Sequence, residues 1–355
     1  MNTENPLVSV LIPTLDPERL PMLEEAVRSA LSQTYSHVEV LVVGDGPKAV
    51  HVEALGRRVP DSRLRILRRE VQGGPAAARN LAARQAAGSF LAFLDDDDRW
   101  FPDKLGIQME LFRRHPEWAF VFSDSILEME DGQHGYFKLT DFKGQVTLEA
   151  LCRADYILCL TGVVRKEVFH QVGGLDESPA MLGVDDPDLW GRILHAGHTG
   201  GFSAEPLAWH RYFPSSYSRG EHFLPHLENL IRKRLRDFAD REECTRFLRA
   251  YLFRVLHALA DRHFKAGRQK EAMQCVLRAR EFHSWRCFCR TNAFYEEGYR
   301  LLLDGKKSGA RRAFRMAWAL SPFYWKIYVH FGLSLFPASI HKAVRNLRRR
   351  IAGTP

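Results

Sequence analysis

The first hundred residues limit this chain's fold more than any other part, because short apolar runs alternate there with helix-spaced segments. Val8-Ser9-Val10-Leu11-Ile12 is apolar and β-branched and stops at Pro13. Leu20, Leu23, Val27, Ala30 and Leu31 then recur at helical spacing, with Asp16 placed as an N-cap and Pro17 at the first helical position. Residues 38–43 form a second apolar run, closed by Gly44-Asp45-Gly46-Pro47, and residues 64–67 suggest a third strand. An alanine-rich helix is expected over residues 75–87, after Gly73-Gly74. Phe90-Leu91-Ala92-Phe93-Leu94 reads as another buried strand, and it runs directly into Asp95-Asp96-Asp97-Asp98. Strands apolar on both faces must be covered on both, which predicts an α/β fold with a mostly parallel, Rossmann-like sheet between layers of helices. Ligands of such sheets lie beyond the carboxyl ends of the strands. Three of these ends carry polar, turn-forming residues: Pro13-Thr14, Asp45-Gly46 and the aspartate run.

From about residue 222 only helical patterns remain, so two regions are expected, a catalytic domain over residues 1–221 and an all-α region over 222–355. Gly267, Ala272 and Ala279 are echoed by Gly305, Ala310 and Ala317, which suggests two helical hairpins loosely like tetratricopeptide units, or a chance match of amphipathic pairs. The net charge of +8 is unevenly placed. After Asp304 there are eleven basic residues and no acidic one, so the rest of the chain is net negative. Such a tail suits an anionic lipid surface, nucleic acid or an acidic partner. No sequence motif supports nucleic-acid binding. The six cysteines (Cys152, Cys159, Cys244, Cys275, Cys287 and Cys289) form no C-x-x-C pair, which argues against a structural zinc site and for a reducing compartment. Residues 1–6 lack the pattern of a signal peptide, and residues 327–341 are too short to span a bilayer.

Three clusters carry chemistry. Four adjacent aspartates after a buried strand repel one another unless a cation compensates. Mg²⁺ is typically held by one or two carboxylates plus substrate phosphates, and it would neutralise charge on a departing diphosphate. The bland alternative is a solvated acidic turn before a helix starting near Pro102. Gly73-Gly74-Pro75-Ala76-Ala77-Ala78-Arg79-Asn80 places glycines before a helix, where backbone N–H groups can face an anion, though it lacks P-loop spacing. Asp185-Asp186-Pro187-Asp188 leads into an apolar helix running to about His195. Acidic residues favour helix N-termini in any case, but a carboxylate here can also take the proton of an attacking hydroxyl.

Taken together, Val8-Ser9-Val10-Leu11-Ile12-Pro13-Thr14, Gly44-Asp45-Gly46-Pro47, Ala78-Arg79-Asn80, the run from Leu94 through Asp98 and Asp185-Asp186-Pro187-Asp188-Leu189-Trp190 resemble, in order and spacing, the family 2 glycosyltransferases of GT-A fold. Gly173-Gly174-Leu175-Asp176-Glu177 is similar to the segment before that family's base motif, and the resemblance covers roughly residues 6–215. It implies transfer of a sugar from a nucleoside diphosphate sugar, often UDP-linked, to an acceptor hydroxyl, usually with inversion and with Mg²⁺ or Mn²⁺. By resemblance, Pro13, Thr14 and Asp45 hold the nucleoside, and Arg79 lies near base and diphosphate. Asp97 is the expected metal ligand with Asp95, while Asp95 and Asp96 line the ribose and phosphate side. Asp186 matches the catalytic base. Trp209-His210-Arg211-Tyr212 with Ser215 and Ser216 is similar to the segment that closes over the diphosphate, His210 or Arg211 touching it. The sequence departs at Gly44, where an aspartate is usual, and at Asp185, where a glutamate is usual, so Asp185 is a second candidate base.

The implied setting is cell-surface or extracellular glycan synthesis at the inner face of the cell membrane, from a cytoplasmic protein, with a glycan or lipid-linked acceptor recognised by the variable segment 128–182. Trp318, Phe323, Tyr324, Trp325, Tyr328 and Phe331, mixed with cations, fit either an interfacial segment on anionic lipid or a packed terminal helix. Two other classes compete. A sugar nucleotidyltransferase would carry a basic Gly-rich loop after the first strand, where Pro13-Thr14-Leu15-Asp16 stands. A helical-repeat scaffold on an inactive GT-A domain would have no need of these aspartates.

Overall fold

The computed structural model describes residues 5–320 except 130, 133, 138–143, 155–156, 214–219, 282–296, 299, 303 and 305. Chain order begins β1 (Val8–Thr14), α1 (Leu20–Leu31), β2 (Val38–Asp45), α2 (Val52–Arg58), β3 (Leu64–Arg69), α3 (Gly74–Gln85) and β4 (Phe90–Phe93). It continues with β5 (Arg99–Trp100), α4 (Lys104–Arg114), β6 (Trp118–Met129), β7 (His134–Phe137), β8 (Gln145–Val146), α5 (Leu148–Ala154), β9 (Val163–Arg165) and α6 (Lys166–Gln171). Then come α7 (Asp185–His195), β10 (Thr199–Tyr212), α8 (Phe223–Asp237), α9 (Glu242–Lys265), α10 (Gln269–Arg280) and α11 (Lys307–Leu320). Asp16 does act as a cap, its Oδ1 accepting from the Glu18 N–H at 2.9 Å. What it caps is a separate 3₁₀ turn, Pro17–Arg19, and α1 starts only at Leu20.

One sheet runs β3-β2-β1-β4-β9-β6-β10-β5, with β7 on β6 and β8 on β10. The β3-β2-β1-β4 half is parallel throughout, as the apolar runs require. Beyond it the sheet is mixed: β9 is antiparallel to β4 and β6, β10 is parallel to β6, and β5 is antiparallel to β10. Val8, Val10 and Ile12 enter a core with Leu23, Ala26, Val27 and Ala30 of α1, Val52 and Leu55 of α2, and Leu105 and Phe112 of α4. The alternate residues Leu11, Leu41, Val43 and Phe93 stand outside that cluster and are equally buried, and α3 packs on β1 and β2. Burying each such side chain is worth about 1.5–3 kcal/mol.

The chain divides into two compact units, Met1–Thr245 and Arg246–Pro355. The all-helical stretch therefore begins inside the first unit. Polar bonds hold α8 there: Lys233 Nζ reaches Asp176 Oδ2 at 2.9 Å and Asp188 Oδ1 at 2.9 Å, and Arg234 Nη2 donates to the Pro187 carbonyl at 2.6 Å. In the second unit α10 packs on α11, and Ala272, Ala279, Ala310 and Ala317 are fully buried. Gly305, the fourth of the six residues in the repeat pattern, lies outside the described residues, as do Cys287, Cys289 and the aromatic-basic stretch beyond residue 320. Cys152, Cys159, Cys244 and Cys275 are buried and form no disulfide among the described residues. No helix among the described residues is long and apolar enough to cross a membrane.

Candidate active site

At the end of β4, Leu94 is the last fully buried apolar residue, and the chain then turns through Asp95, Asp96, Asp97 and Asp98. Their charges are met from different directions. Arg19 Nη1 donates to Asp96 Oδ1 and to Asp97 Oδ2, each at 2.9 Å. Asp95 receives a very short bond from Arg79 Nη2. Asp98 accepts the Arg211 backbone N–H at 2.8 Å. Burial pushes the Asp97 carboxyl up to about 6, with Asp95 adding repulsion and Arg19 opposing it. Burial and the charge of Asp97 hold Asp98 well above the usual carboxylate range. Asp96 is raised by burial, against hydrogen bonds from Thr14 and Arg19.

Arg79 is what joins the two acidic clusters. It projects from α3 and is only 5% exposed. One guanidinium nitrogen holds Asp95, and the other stands 3.5 Å from Asp185 Oδ2 at the start of α7. Burial opposes the Arg79 charge, but the surrounding carboxylates outweigh it and raise its pKa above the ordinary arginine value. The next residue, Asn80, fixes the loop leading to α7. Its Nδ2 donates to the Leu175 carbonyl at 2.9 Å and to Glu177 Oε1 at 2.8 Å, and its Oδ1 accepts from the Leu175 N–H at 2.9 Å. Ala78-Arg79-Asn80 thus tethers the first-strand side of the site to the segment around Gly173-Gly174. Asp186 follows Asp185 in the first turn of α7. Its carboxyl is raised well above the carboxylate range by burial and then by Asp185, and it lies near enough to Arg79 and Asp95 to feel both charges.

The remaining expected residues sit at neighbouring strand ends. Pro13 pairs with Val43, and Thr14 with Gly44, at the close of β1 and β2. Thr14 Oγ1 is 2.9 Å from His51 Nε2. Asp45 accepts from Arg69 Nη1 at 2.7 Å and from the backbone N–H groups of Gly73 and Gly74, at 3.1 Å and 2.7 Å. It therefore binds the first turn of α3 to the end of β2. Gly44 has a steric reason: a Cβ there would meet the Ala49 Cβ at 3.0 Å and the Ala49 carbonyl at 3.1 Å. The turn carrying His51 fills the space where an aspartate side chain would stand.

His210 and Arg211 directly precede Tyr212, the last residue of β10. His210 is near Asp95, and burial lowers its pKa, with Asp95 opposing. The Arg211 side chain is taken up by carboxylates rather than left open toward a diphosphate. Its Nε is 3.2 Å from Glu128 Oε2, Nη2 bonds Glu25, and Nη1 donates to the Asp97 carbonyl at 3.3 Å. Ser215 and Ser216 lie outside the described residues. Sequence reasoning missed Arg19, His51, Arg69 and Glu128. Arg19 alone had a signal, as the nearest basic residue after Pro13-Thr14. The others reach the site from distant positions in sequence.

Among the described residues no group of three or more His, Cys, Asp and Glu side chains forms a ready metal ligand set. The donor chemistry still fits a hard cation. Asp96 and Asp97 present oxygens that share one cationic nitrogen, and such a pair completes its ligation with phosphate oxygens.

Residues 9–160 match the family model described as Glycosyl transferase family 2. The chain is 31% identical over 219 residues to TuaG of Bacillus subtilis, a glycosyltransferase assigned to teichuronic acid biosynthesis; the match covers 61% of this chain and 84% of TuaG. It is 29% identical over 188 residues to the Escherichia coli UDP-Glc:alpha-D-GlcNAc-diphosphoundecaprenol beta-1,3-glucosyltransferase WfgD, covering 53% of this chain and 70% of that one. Among solved structures, S. aureus TarS 1–349 in complex with UDP-GlcNAc superposes with a TM-score of 0.59 at 16% identity, covering 96% of this chain and 91% of the other, a likeness of fold. Motifs placed together at the strand ends, a matching family model and a relative covered over most of its length agree on one assignment: the chain is a member of glycosyltransferase family 2, with a GT-A fold.

Proposed function

We propose that this glycosyltransferase moves a sugar from a UDP-linked donor to a hydroxyl of a glycan or lipid-linked acceptor, with inversion, in the building of a cell-surface polysaccharide. The observation that carries the reading is the single buried guanidinium of Arg79 between Asp95 and Asp185, which sets a phosphate-side acidic cluster and a helix-start acidic cluster within one side chain of each other. TuaG, named for teichuronic acid biosynthesis, WfgD, named for transfer from UDP-Glc to GlcNAc-diphosphoundecaprenol, and the UDP-GlcNAc complex of TarS support the donor and the acceptor class.

In this reading Thr14 and Asp45 border the nucleoside, and Arg79 and His210 border the diphosphate. Asp97 with Asp95 would hold Mg²⁺ or Mn²⁺, which when bound would supply positive charge beside the leaving diphosphate. Asp186 accepts the proton of the acceptor hydroxyl as that oxygen attacks the anomeric carbon from the face opposite the leaving group. Its enclosed position and the charge of Asp185 make it a stronger base than a solvated carboxylate. Arg79 orients Asp185, and Asn80 holds the loop that aims α7. The basic residues beyond Asp304 fit a peripheral association with an anionic membrane surface, where a lipid-linked acceptor would be found.

The test is a panel of nucleotide sugars scored by thermal shift with and without Mn²⁺, followed by transfer assays with the donor that binds. Asp186→Asn should lower kcat by about 10²–10⁴-fold with donor binding retained. A variant as fast as wild type removes Asp186 from the base role. Asp97→Ala should abolish the manganese-dependent part of donor binding; if it does not, Asp97 is no ligand.

A further inference from the structure

Arg19 ends the short 3₁₀ turn between β1 and α1, and no motif of the sequence marks it out. Its Nη1 lies 2.9 Å from Asp96 Oδ1 and 2.9 Å from Asp97 Oδ2, so one nitrogen bridges two carboxylates. The two aspartates are not held alike. Asp96 is also fixed from inside, because Thr14 donates a hydrogen bond to it and Thr14 is itself bonded to His51. Among the described residues Asp97 has Arg19 as its side-chain partner, and its own backbone carbonyl is bonded by Arg211. The Arg19 side chain keeps 39% of its surface exposed, against 8% for Asp96 and 18% for Asp97. It is thus the solvent-facing and exchangeable member of the cluster, unlike Arg79, which is buried between its partners.

A positive nitrogen bridging two carboxylate oxygens has the charge sign and the position of a bridging cation. Without any cation there, two adjacent and largely buried carboxylates would face each other unscreened, which is costly. With a divalent cation there, a guanidinium at the same oxygens would add like-charge repulsion. At about 4 Å the divalent cation and the guanidinium repel as like charges, so the two compete for the same oxygens. We infer that Arg19 is the resident counter-cation of the Asp96–Asp97 pair, holding it closed in the donor-free protein and giving way when a divalent cation enters with the nucleotide. Arg19 thereby sets cation affinity and couples it to donor arrival. This rests on the reading that a divalent cation binds at Asp97, whose oxygen shares the Arg19 nitrogen with Asp96.

The test is direct manganese binding by electron paramagnetic resonance on the full chain, without nucleotide and then with saturating UDP. Removing the competitor in Arg19→Gln should tighten manganese binding without nucleotide by about tenfold or more, given the repulsion between charges at that distance. Arg19→Lys keeps the charge and should stay close to wild type. The gain in Arg19→Gln should shrink once UDP is present. Equal or weaker manganese binding in Arg19→Gln, with circular dichroism as in wild type, overturns the proposal. If Arg19→Gln does not fold, Arg19→Ala and Arg19→Lys carry the same comparison, and unchanged affinity across them overturns it equally. If no protein binds manganese even with UDP, the cation reading of the pair fails, and the inference goes with it; that pattern is distinct from binding that ignores Arg19.

Discussion

Arg19 and Arg79 between them meet Asp95, Asp96, Asp97 and Asp185, but the two arginines differ in how tightly they are held, and that difference decides what mutation does. Arg79 is buried and serves two clusters. Removing one partner of such a pair leaves uncompensated buried charge, so Arg79→Met should destabilise the protein by about 3–5 kcal/mol, read by denaturant unfolding. A loss below about 1 kcal/mol would mean that Asp95 and Asp185 find other partners. Asp185 and Asp186 allow a sharper comparison through pH. Both are raised by burial, and Asp186 further by Asp185. The base must be ionised to work, so kcat/KM should rise with pH through an apparent pKa above the ordinary carboxylate range. Asp185→Asn removes a negative neighbour, which lowers the Asp186 pKa and moves that limb to lower pH while transfer continues. If Asp185→Asn abolishes transfer, Asp185 is the base. Glu25, Glu128, Arg69 and His51 were not readable from the sequence for one physical reason: each acquires its meaning from a partner brought to it by folding, as Arg211 does from Glu25, 186 positions away.

At the scale of elements, the parallel half of the sheet was legible because β1, β2 and β4 are mostly apolar and buried along their length, and a run covered on both faces admits few alternatives; β3, at the edge with three arginines, was the weaker signal. The helix limits were close, with α3 at Gly74–Gln85 and α7 ending at His195. The second half was not legible. Strand β9 is three residues long and enters antiparallel between β4 and β6, and β10 carries two glycines and a proline that mask its pattern. Those glycines explain how β10 lies against β6. A Cβ on Gly201 would meet the Trp118 ring at 2.0 Å, and one on Gly200 the Phe120 ring at 2.4 Å. Gly201→Ala should therefore cost about 1–3 kcal/mol by overpacking, seen as a lower denaturant midpoint. Because His210 and Arg211 lie in the last residues of β10, the same variant should weaken donor binding more than Gly197→Ala, which meets nothing within 4 Å but has a φ of +92° and so tests backbone strain alone. Equal effects on donor binding would uncouple the β6–β10 packing from the site.

For the molecule as a whole, charge is sorted along the chain in a way the catalytic chemistry does not require. The site gathers carboxylates, and the residues after Asp304 hold eleven cations and no anion. Each basic residue near an anionic bilayer contributes about 1 kcal/mol, and the effect fades within a Debye length of about 8 Å at physiological salt. Five of the eleven fall in the last fourteen residues: Lys342, Arg345, Arg348, Arg349 and Arg350. The full chain should therefore sediment with phosphatidylglycerol vesicles and not with phosphatidylcholine vesicles. Binding should decline steeply as salt rises toward about 1 M, where the Debye length falls to about 3 Å. Reversing Arg348, Arg349 and Arg350 to glutamate should abolish it while leaving transfer to a water-soluble acceptor intact, since those residues lie far in sequence from the strand ends that build the site. Binding to both lipids alike, insensitive to salt, would point instead to the aromatic residues of the same stretch inserting by apolar burial. Binding to neither would leave the cations as a solvated surface, and the membrane would have no part in how the acceptor is met.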